Sequence, residues 1–123
     1  MNSTEVKDLV KNFFQMLNER KLEDLKNYLS PTVVFYFPGT KPLNGPKKII
    51  QLFYAIFRRY PDLTFQIKDL IVESNRIAAI WTNSGNDRKG NSYQNEGVTI
   101  FKIEQGYITY ISDYFKNTSF MTK

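Results

Sequence analysis

The acid best placed to do chemistry in this chain is Asp113, in an alternating segment near the end of the 123 residues. By the two-residue period of a β-strand, it shares a face with Thr109, Ile111 and Phe115. If that face lines a cavity, burial raises the pKa of the carboxyl and suits it to general acid or base catalysis. The alternative is a structural Asp that bonds to backbone or pairs with a nearby Lys or Arg.

Five other side chains are candidates for binding a ligand beside this acid. Trp81 is the single Trp and can form a pocket wall, with its indole N–H directed at a ligand or at the acid. The hydroxyls of Tyr36 and Tyr54 are candidates for the cavity mouth, and Thr99 is a candidate hydrogen-bond donor. Phe115 lies on the face of the acid. For the aromatic residues, packing in the core is the alternative interpretation.

The composition excludes several kinds of site. The chain has no Cys and no His, so disulfides, thiolate ligands, thiol nucleophiles and imidazole bases are absent. The acidic residues do not cluster, and no glycine-rich phosphate loop is present. We therefore expect no metal and no organic cofactor.

The net charge of +5 and a pI near 9.4 come from basic residues scattered along the sequence. A nucleic-acid-binding protein usually concentrates them on one face with aromatic residues between them, so no nucleic-acid partner is expected. An anion-binding surface is the alternative. The N-terminal residues lack the order of a signal peptide and no apolar run is long enough to span a membrane, so we expect a cytoplasmic protein without membrane contact.

Three helices are predicted in the first half of the chain. Ser3 or Thr4 can cap the first, and Ser30-Pro31 ends the short second one because a residue before proline avoids the α region. The third opens at Pro46, a position where proline is tolerated. Their apolar stripes are Val6, Leu9, Val10, Phe13 and Leu17; Leu22, Leu25 and Leu29; and Ile49, Ile50, Phe53, Ile56 and Phe57.

The rest of the chain predicts strands. Val33 to Phe37 is β-branched and aromatic throughout. Beyond the third helix the apolar period changes to two, and Gly85, Gly90 and Gly97 can bend the resulting sheet. Three helices followed by long antiparallel strands indicate a single α+β domain over residues 1–123. The four long strands are predicted over Leu63 to Glu73, Arg76 to Ser84, Asn95 to Ile103 and Tyr107 to Phe115.

This order of elements resembles the nuclear transport factor 2-like superfamily, in its SnoaL-like, ketosteroid-isomerase-like branch. The resemblance implies a cone-shaped, curved antiparallel sheet wrapped around three N-terminal helices (a cystatin-like α+β barrel) and enclosing a pocket. It rests on Phe13-Phe14, Leu43-Asn44-Gly45-Pro46, Tyr60-Pro61-Asp62, Trp81-Thr82, Asn95-Glu96-Gly97-Val98, Gly106-Tyr107-Ile108-Thr109 and Asp113-Tyr114-Phe115.

Two activities of related proteins are not expected here. Ketosteroid isomerases place their base where this chain has Phe37 and their second acid near Thr99, so steroid isomerisation is not predicted. Limonene epoxide hydrolases match only at Asp113. Their other positions fall at about Val34, Tyr36, Ser84 and Asn86, which lack the required groups.

SnoaL-type polyketide cyclases are similar in relying on a pocket acid from the last strand, which is Asp113 in this sequence. Their cofactor-free aldol closure needs a carboxylate and an enclosed apolar cavity. The resemblance therefore implies a protein that binds a small, largely apolar molecule, as an isomerase, cyclase or lyase with Asp113 as acid and base. The alternative is a non-catalytic small-molecule-binding or dimeric interaction module.

The face of the last strand opposite Asp113 is predicted to carry Ile108, Tyr110 and Tyr114. An apolar and aromatic outer face is typical of a dimerisation surface. Related cones commonly pair through it, so we expect a homodimer.

Overall fold

The computed structural model describes residues 1–117. Helix α1 spans Ser3–Glu19, a 3₁₀ helix spans Leu22–Asn27 and helix α2 spans Pro46–Arg59. The three predicted helices are therefore present. The second ends before Leu29, which begins the first strand. None of the helices formed by residues 1–117 has the length and apolarity needed to cross a bilayer.

The cap of α1 is Asn2, and not Ser3 or Thr4 as predicted. Its side-chain oxygen accepts a hydrogen bond from the backbone N–H of Glu5 at 2.9 Å, and its own N–H donates to the Glu5 carboxylate at 3.0 Å. This reciprocal pair satisfies two N–H groups that a helix start leaves open. Arg20 ends the helix at φ 62°, and its guanidinium donates to the carbonyl of Leu63 at 2.7 Å, which ties α1 to the start of the sheet.

Six strands form one sheet in the order β2-β1-β6-β5-β4-β3. All neighbours are antiparallel except β1 and β6, which are parallel. The predicted α+β architecture, with a curved sheet around three helices, is confirmed. The short β2 was not predicted. The strands are β1 (Leu29–Tyr36), β2 (Leu43–Asn44), β3 (Thr64–Glu73), β4 (Arg76–Asn86), β5 (Ser92–Glu104) and β6 (Tyr107–Phe115).

The core lies between the helices and the inner face of the sheet. The apolar stripe of α1 contributes Val10, Phe13 and Leu17, each at most 2% exposed. The ring of Phe101 on β5 lies 5.5 Å from that of Phe13. This packing joins the first helix to the centre of the sheet, so both belong to one hydrophobic core.

A bulge in β6 corrects the predicted outer face. Tyr110 pairs with Lys102 whereas Ile108 pairs with Ile103, so Thr109 is the extra residue. An extra residue shifts the alternation of the strand by one. Ile108 consequently points into the core and is 0% exposed, and its assignment to a dimer face was wrong.

The bulge also removes Thr109 from the face of Asp113. The Thr109 hydroxyl instead donates to the Glu104 carboxylate at 3.1 Å. On the outer face, Tyr114 is 59% exposed and the Tyr110 ring packs on Tyr36 with centroids 5.5 Å apart. Pairing of two copies through this smaller surface stays a prediction.

Candidate functional site

A cavity of about 230 Å³ lies between the helices and the inner face of the sheet. Its walls are mostly rings, and its polar side chains are few. The apolar aromatic residues are Phe13, Phe14, Phe35, Phe37, Phe53, Phe65, Trp81 and Phe115. The residues with polar side-chain groups are Arg59, Tyr60, Asn83, Tyr93, Thr99 and Asp113. A concave, largely apolar hollow with a few polar groups is the usual form of a small-molecule site.

Strand register aligns the site residues in rows across the sheet. Asp113 on β6 lies opposite Thr99 on β5, and Phe115 lies opposite Gly97, which in turn lies opposite Trp81 on β4. A Cβ on Gly97 would approach Trp81 Cζ2 to 2.8 Å. Glycine is therefore needed there because the indole ring lies against the strand backbone.

A chain of two hydrogen bonds leads to the acid. The indole Nε1 of Trp81 donates to the hydroxyl oxygen of Thr99 at 2.8 Å, and that hydroxyl donates to Oδ1 of Asp113 at 2.6 Å. Since an indole can only donate and an ionised carboxylate can only accept, the direction of both bonds is fixed. Within residues 1–117, the one hydrogen bond to the Asp113 carboxylate is to Oδ1, which leaves Oδ2 available to a ligand.

Burial raises the pKa of Asp113 from its ordinary value near 3.8 to about 7, and the hydrogen bond from Thr99 opposes part of that rise. The surrounding rings supply no charge that would stabilise the ionised form. Asp113 keeps some exposed surface because it lines the cavity. Near neutral pH the carboxyl is therefore present in both protonation states, as a general acid and base requires.

The structure brings together four of the six predicted site residues, namely Trp81, Thr99, Asp113 and Phe115, around one cavity. It does not bring Tyr36 or Tyr54 there, so their placement at the cavity mouth requires correction.

Tyr36 is 43% exposed because strand alternation turns its neighbours Phe35 and Phe37 inward and Tyr36 outward. Tyr54 is 45% exposed on the outer side of α2, where its hydroxyl donates to the Glu23 carboxylate at 2.8 Å.

Several lining residues were missed. Asn83 shares the inward face of β4 with Trp81, and the alternation of that strand could have identified it. Tyr93 was missed because β5 begins at Ser92, before the predicted start at Asn95. Its ring stacks on that of Tyr60 with centroids 4.4 Å apart.

Arg59 also lines the cavity, from the last turn of α2. Its guanidinium lies 5.3 Å from the centroid of the Tyr60 ring. In the part of the chain that the structure describes, no three acidic side chains are grouped closely enough to hold a metal ion.

A family model described as a SnoaL-like domain matches residues 10–111. No curated protein matches the sequence. Among solved structures, a candidate SnoaL-like polyketide cyclase from Jannaschia sp. CCS1 superposes with a TM-score of 0.86 at 15% identity, covering 97% of this chain and 90% of that one.

Two further structures are similar. TsrD from Streptomyces laurentii gives a TM-score of 0.82 at 22% identity, covering 94% of this chain and 91% of that one. An NTF2-like protein of unknown function from Burkholderia pseudomallei K96243 gives a TM-score of 0.86 at 16% identity, covering 99% of this chain and 97% of that one. At these identities the likeness concerns the fold.

Proposed function

The chain belongs to the SnoaL-like domain family, and we propose that it binds a small, largely apolar carbonyl compound and transforms it with Asp113 as general acid and base. The reaction class is a cofactor-free isomerisation, ring closure or lyase step. The observation that carries the proposal is the position of Asp113, which lines a ring-walled cavity while its Oδ1 accepts a hydrogen bond from Thr99.

The proposed step is a proton transfer at a carbon next to a carbonyl group. Oδ2 of the ionised Asp113 takes the proton, and the electron pair of the broken C–H bond passes into an enolate. In a ring closure, the enolate carbon bonds to a second carbonyl carbon, and neutral Asp113 returns the proton to the new alkoxide. In an isomerisation, the proton returns to a different carbon. Either sequence leaves Asp113 ionised again.

The residues around Asp113 support this role through position and environment. The bonds from Trp81 to Thr99 and from Thr99 to Asp113 hold Oδ1 of the carboxylate in position. The apolar walls limit water, so the carboxylate is a stronger base than the same group in solvent. One similar structure is described as a candidate polyketide cyclase, which agrees with this reaction class.

The test uses 2-tetralone, a bicyclic apolar ketone with exchangeable hydrogens beside its carbonyl. In D₂O at neutral pH, the wild-type protein should accelerate hydrogen–deuterium exchange, measured by ¹H NMR. Asp113→Asn should lower the exchange rate by about 10²-fold or more while 2-tetralone still binds, because general base catalysis typically contributes that factor.

Asp69→Asn is the matched control, since Asp69 is exposed and accepts a bond from the N–H of Leu70 at 2.8 Å. It should exchange 2-tetralone at the wild-type rate. Exchange that is equally fast in Asp113→Asn would refute the role of Asp113. Saturable binding by the wild type with no exchange above buffer would support the alternative function, a non-catalytic binding module.

A further inference from the structure

Asn83 is a buried amide whose oxygen has no partner in the described part of the chain. The residue is 8% exposed, lines the cavity from β4, and its Oδ1 makes no hydrogen bond. Buried side-chain oxygens nearly always accept at least one hydrogen bond. The exception belongs to a residue in the wall of the proposed binding site, and a turn of its side chain would bring the covered oxygen to a bound molecule.

The register partner of Asn83 is a second buried asparagine, and it is fully bonded. Asn95 is 7% exposed. Its Nδ2 donates to the hydroxyl of Tyr93 at 3.0 Å and to the carbonyl of Asn117 at 2.8 Å, and its Oδ1 accepts from the N–H groups of Glu96 and Asn117, each at 3.0 Å. Asn95 therefore has a structural role, whereas the side-chain oxygen of Asn83 bonds to no group among residues 1–117.

An unpaired buried acceptor destabilises the folded protein, and an apolar residue of the same shape avoids that cost. On the side of the cavity the wall is largely aromatic, and Phe65 of β3 is in register with Asn83, so packing on that side would favour leucine. An amide at this position is explained if a bound molecule supplies the missing donor.

Asn83 and Asp113 lie at separate places along the cavity. Asp113 is in the row of Thr99 and Ala79, and Asn83 is four residues further along β4 than Ala79. Four residues of strand span roughly 13 Å. The rings of Trp81 and Phe115 belong to the row between them. The amide of Asn83 and the carboxyl of Asp113 are thus separated by an apolar stretch of the sheet.

We propose that Asn83 determines specificity by accepting a hydrogen bond from a hydroxyl group at one end of an elongated, largely apolar ligand, whose other end lies beside Asp113. This inference rests on the proposed function, since it concerns the same cavity. The unpaired atom is an acceptor, and for that reason the ligand group is a donor rather than an ether or a ketone.

The binding test compares 6-hydroxy-2-tetralone with 6-methyl-2-tetralone by isothermal titration calorimetry. The two probes share the ketone and differ only at the remote position. The wild type should favour the hydroxyl compound, and Asn83→Leu should favour the methyl compound, with the ratio of the two Kd values changing by about fivefold or more. An unchanged ratio would overturn the inference, as would failure of both probes to bind the wild type at about 1 mM.

Stability gives a second measurement that needs no ligand. Without ligand, Asn83→Leu should unfold at the same or a higher temperature than the wild type, whereas Asn95→Leu should unfold at a clearly lower one. If both variants lose stability alike, Asn83 is structural and the inference is wrong.

Failure of the inference can be separated from failure of the proposed catalysis. Absence of exchange in the wild type, combined with a reversed preference in Asn83→Leu, would remove the catalytic role of Asp113 and keep the specificity role of Asn83. Exchange that depends on Asp113, combined with an unchanged preference in Asn83→Leu, would keep the catalytic role of Asp113 and remove the specificity role of Asn83.

Discussion

The inner face of the sheet is filled at one end and hollow at the other, although the same strands form both. At the filled end Ile77, Phe101, Ile103 and Ile108 are apolar and at most 4% exposed. A few residues away, the inward positions of the same strands carry Thr99, Asp113, Asn83 and Asn95. The filled end stabilises the fold. The hollow end holds a desolvated acid and an amide oxygen that has no hydrogen-bond partner among residues 1–117, which are costs that a purely structural face would avoid.

The largest expected effect is at the filled end. Phe101→Ala should lower the free energy of unfolding by about 3–5 kcal/mol, because the deleted ring leaves a cavity between α1 and the sheet. Phe65→Ala, at a partly exposed ring that already lines the cavity, should cost less than half as much. Urea unfolding measures both. Equal losses would mean that the two ends do not differ in packing.

The pH dependence of stability should come from the hollow end. Because the folded pKa of Asp113 is raised to about 7, the folded state binds more protons than the unfolded state between pH 4 and 7. Wild-type stability should therefore fall over that range and level off above it. Asp113→Asn lacks this loss, so relative to the wild type it should gain up to about 4 kcal/mol by pH 8.

Denaturant unfolding of both proteins from pH 4 to 8 measures the difference, with Asp69→Asn as an exposed control. Parallel curves for wild type and Asp113→Asn would show that the carboxyl is not desolvated.

Gly97→Ala tests the wall between the two polar positions. The added Cβ would meet the indole of Trp81 and the carbonyl of Tyr114, so overpacking should cost about 1–3 kcal/mol and move the indole. Near-UV circular dichroism and Trp fluorescence report the movement. Gly90→Ala is the control: its added Cβ has no atom within 4 Å, so both signals should stay unchanged. The backbone at Gly90 has φ +85°, so this substitution introduces backbone strain without any contact to Trp81. An unaltered Trp81 signal in Gly97→Ala would contradict the close packing.

Thr99→Val should change both the stability of the folded protein and the pKa of Asp113. It leaves the N–H of Trp81 without its acceptor, at a cost of about 1–3 kcal/mol, and it removes the bond that lowers the pKa of Asp113. The pH at which 2-tetralone exchange reaches half its maximum should rise. Thr99→Ser keeps the hydroxyl and should restore the wild-type profile. An identical pH profile in Thr99→Val would exclude a positioning role for Thr99.

Tyr54→Phe should have the smallest effect. The bond from its hydroxyl to Glu23 lies at the surface, so stability should change by no more than about 0.5 kcal/mol, and 2-tetralone binding and exchange should stay at the wild-type level. Calorimetry and NMR measure both. A loss of binding would place Tyr54 in the site after all.

The periodicity of the sequence predicted much of the fold because periodicity is local. Helical spacing identified α1 and α2, and the two-residue period placed Asp113, Ile111 and Phe115 on one face of the last strand. Local patterns also fail locally. No residue type near Thr109 indicates the extra residue in β6. Ile108 was therefore assigned to the wrong face of the strand. Tyr54 was misplaced because the apolar stripe of α2 does not tell which flank borders the cavity.

The composition of the chain alone determined that any acid–base chemistry works without histidine or cysteine. The alternation of the last strand determined that its acid, Asp113, lies among aromatic residues. Only the tertiary structure decided that Thr99 holds one oxygen of that acid, that the side-chain oxygen of Asn83 has no partner within residues 1–117, and that an empty volume lies between them. Those properties depend on how residues of α1, α2, β4, β5 and β6 fill shared space, and no local pattern contains that information.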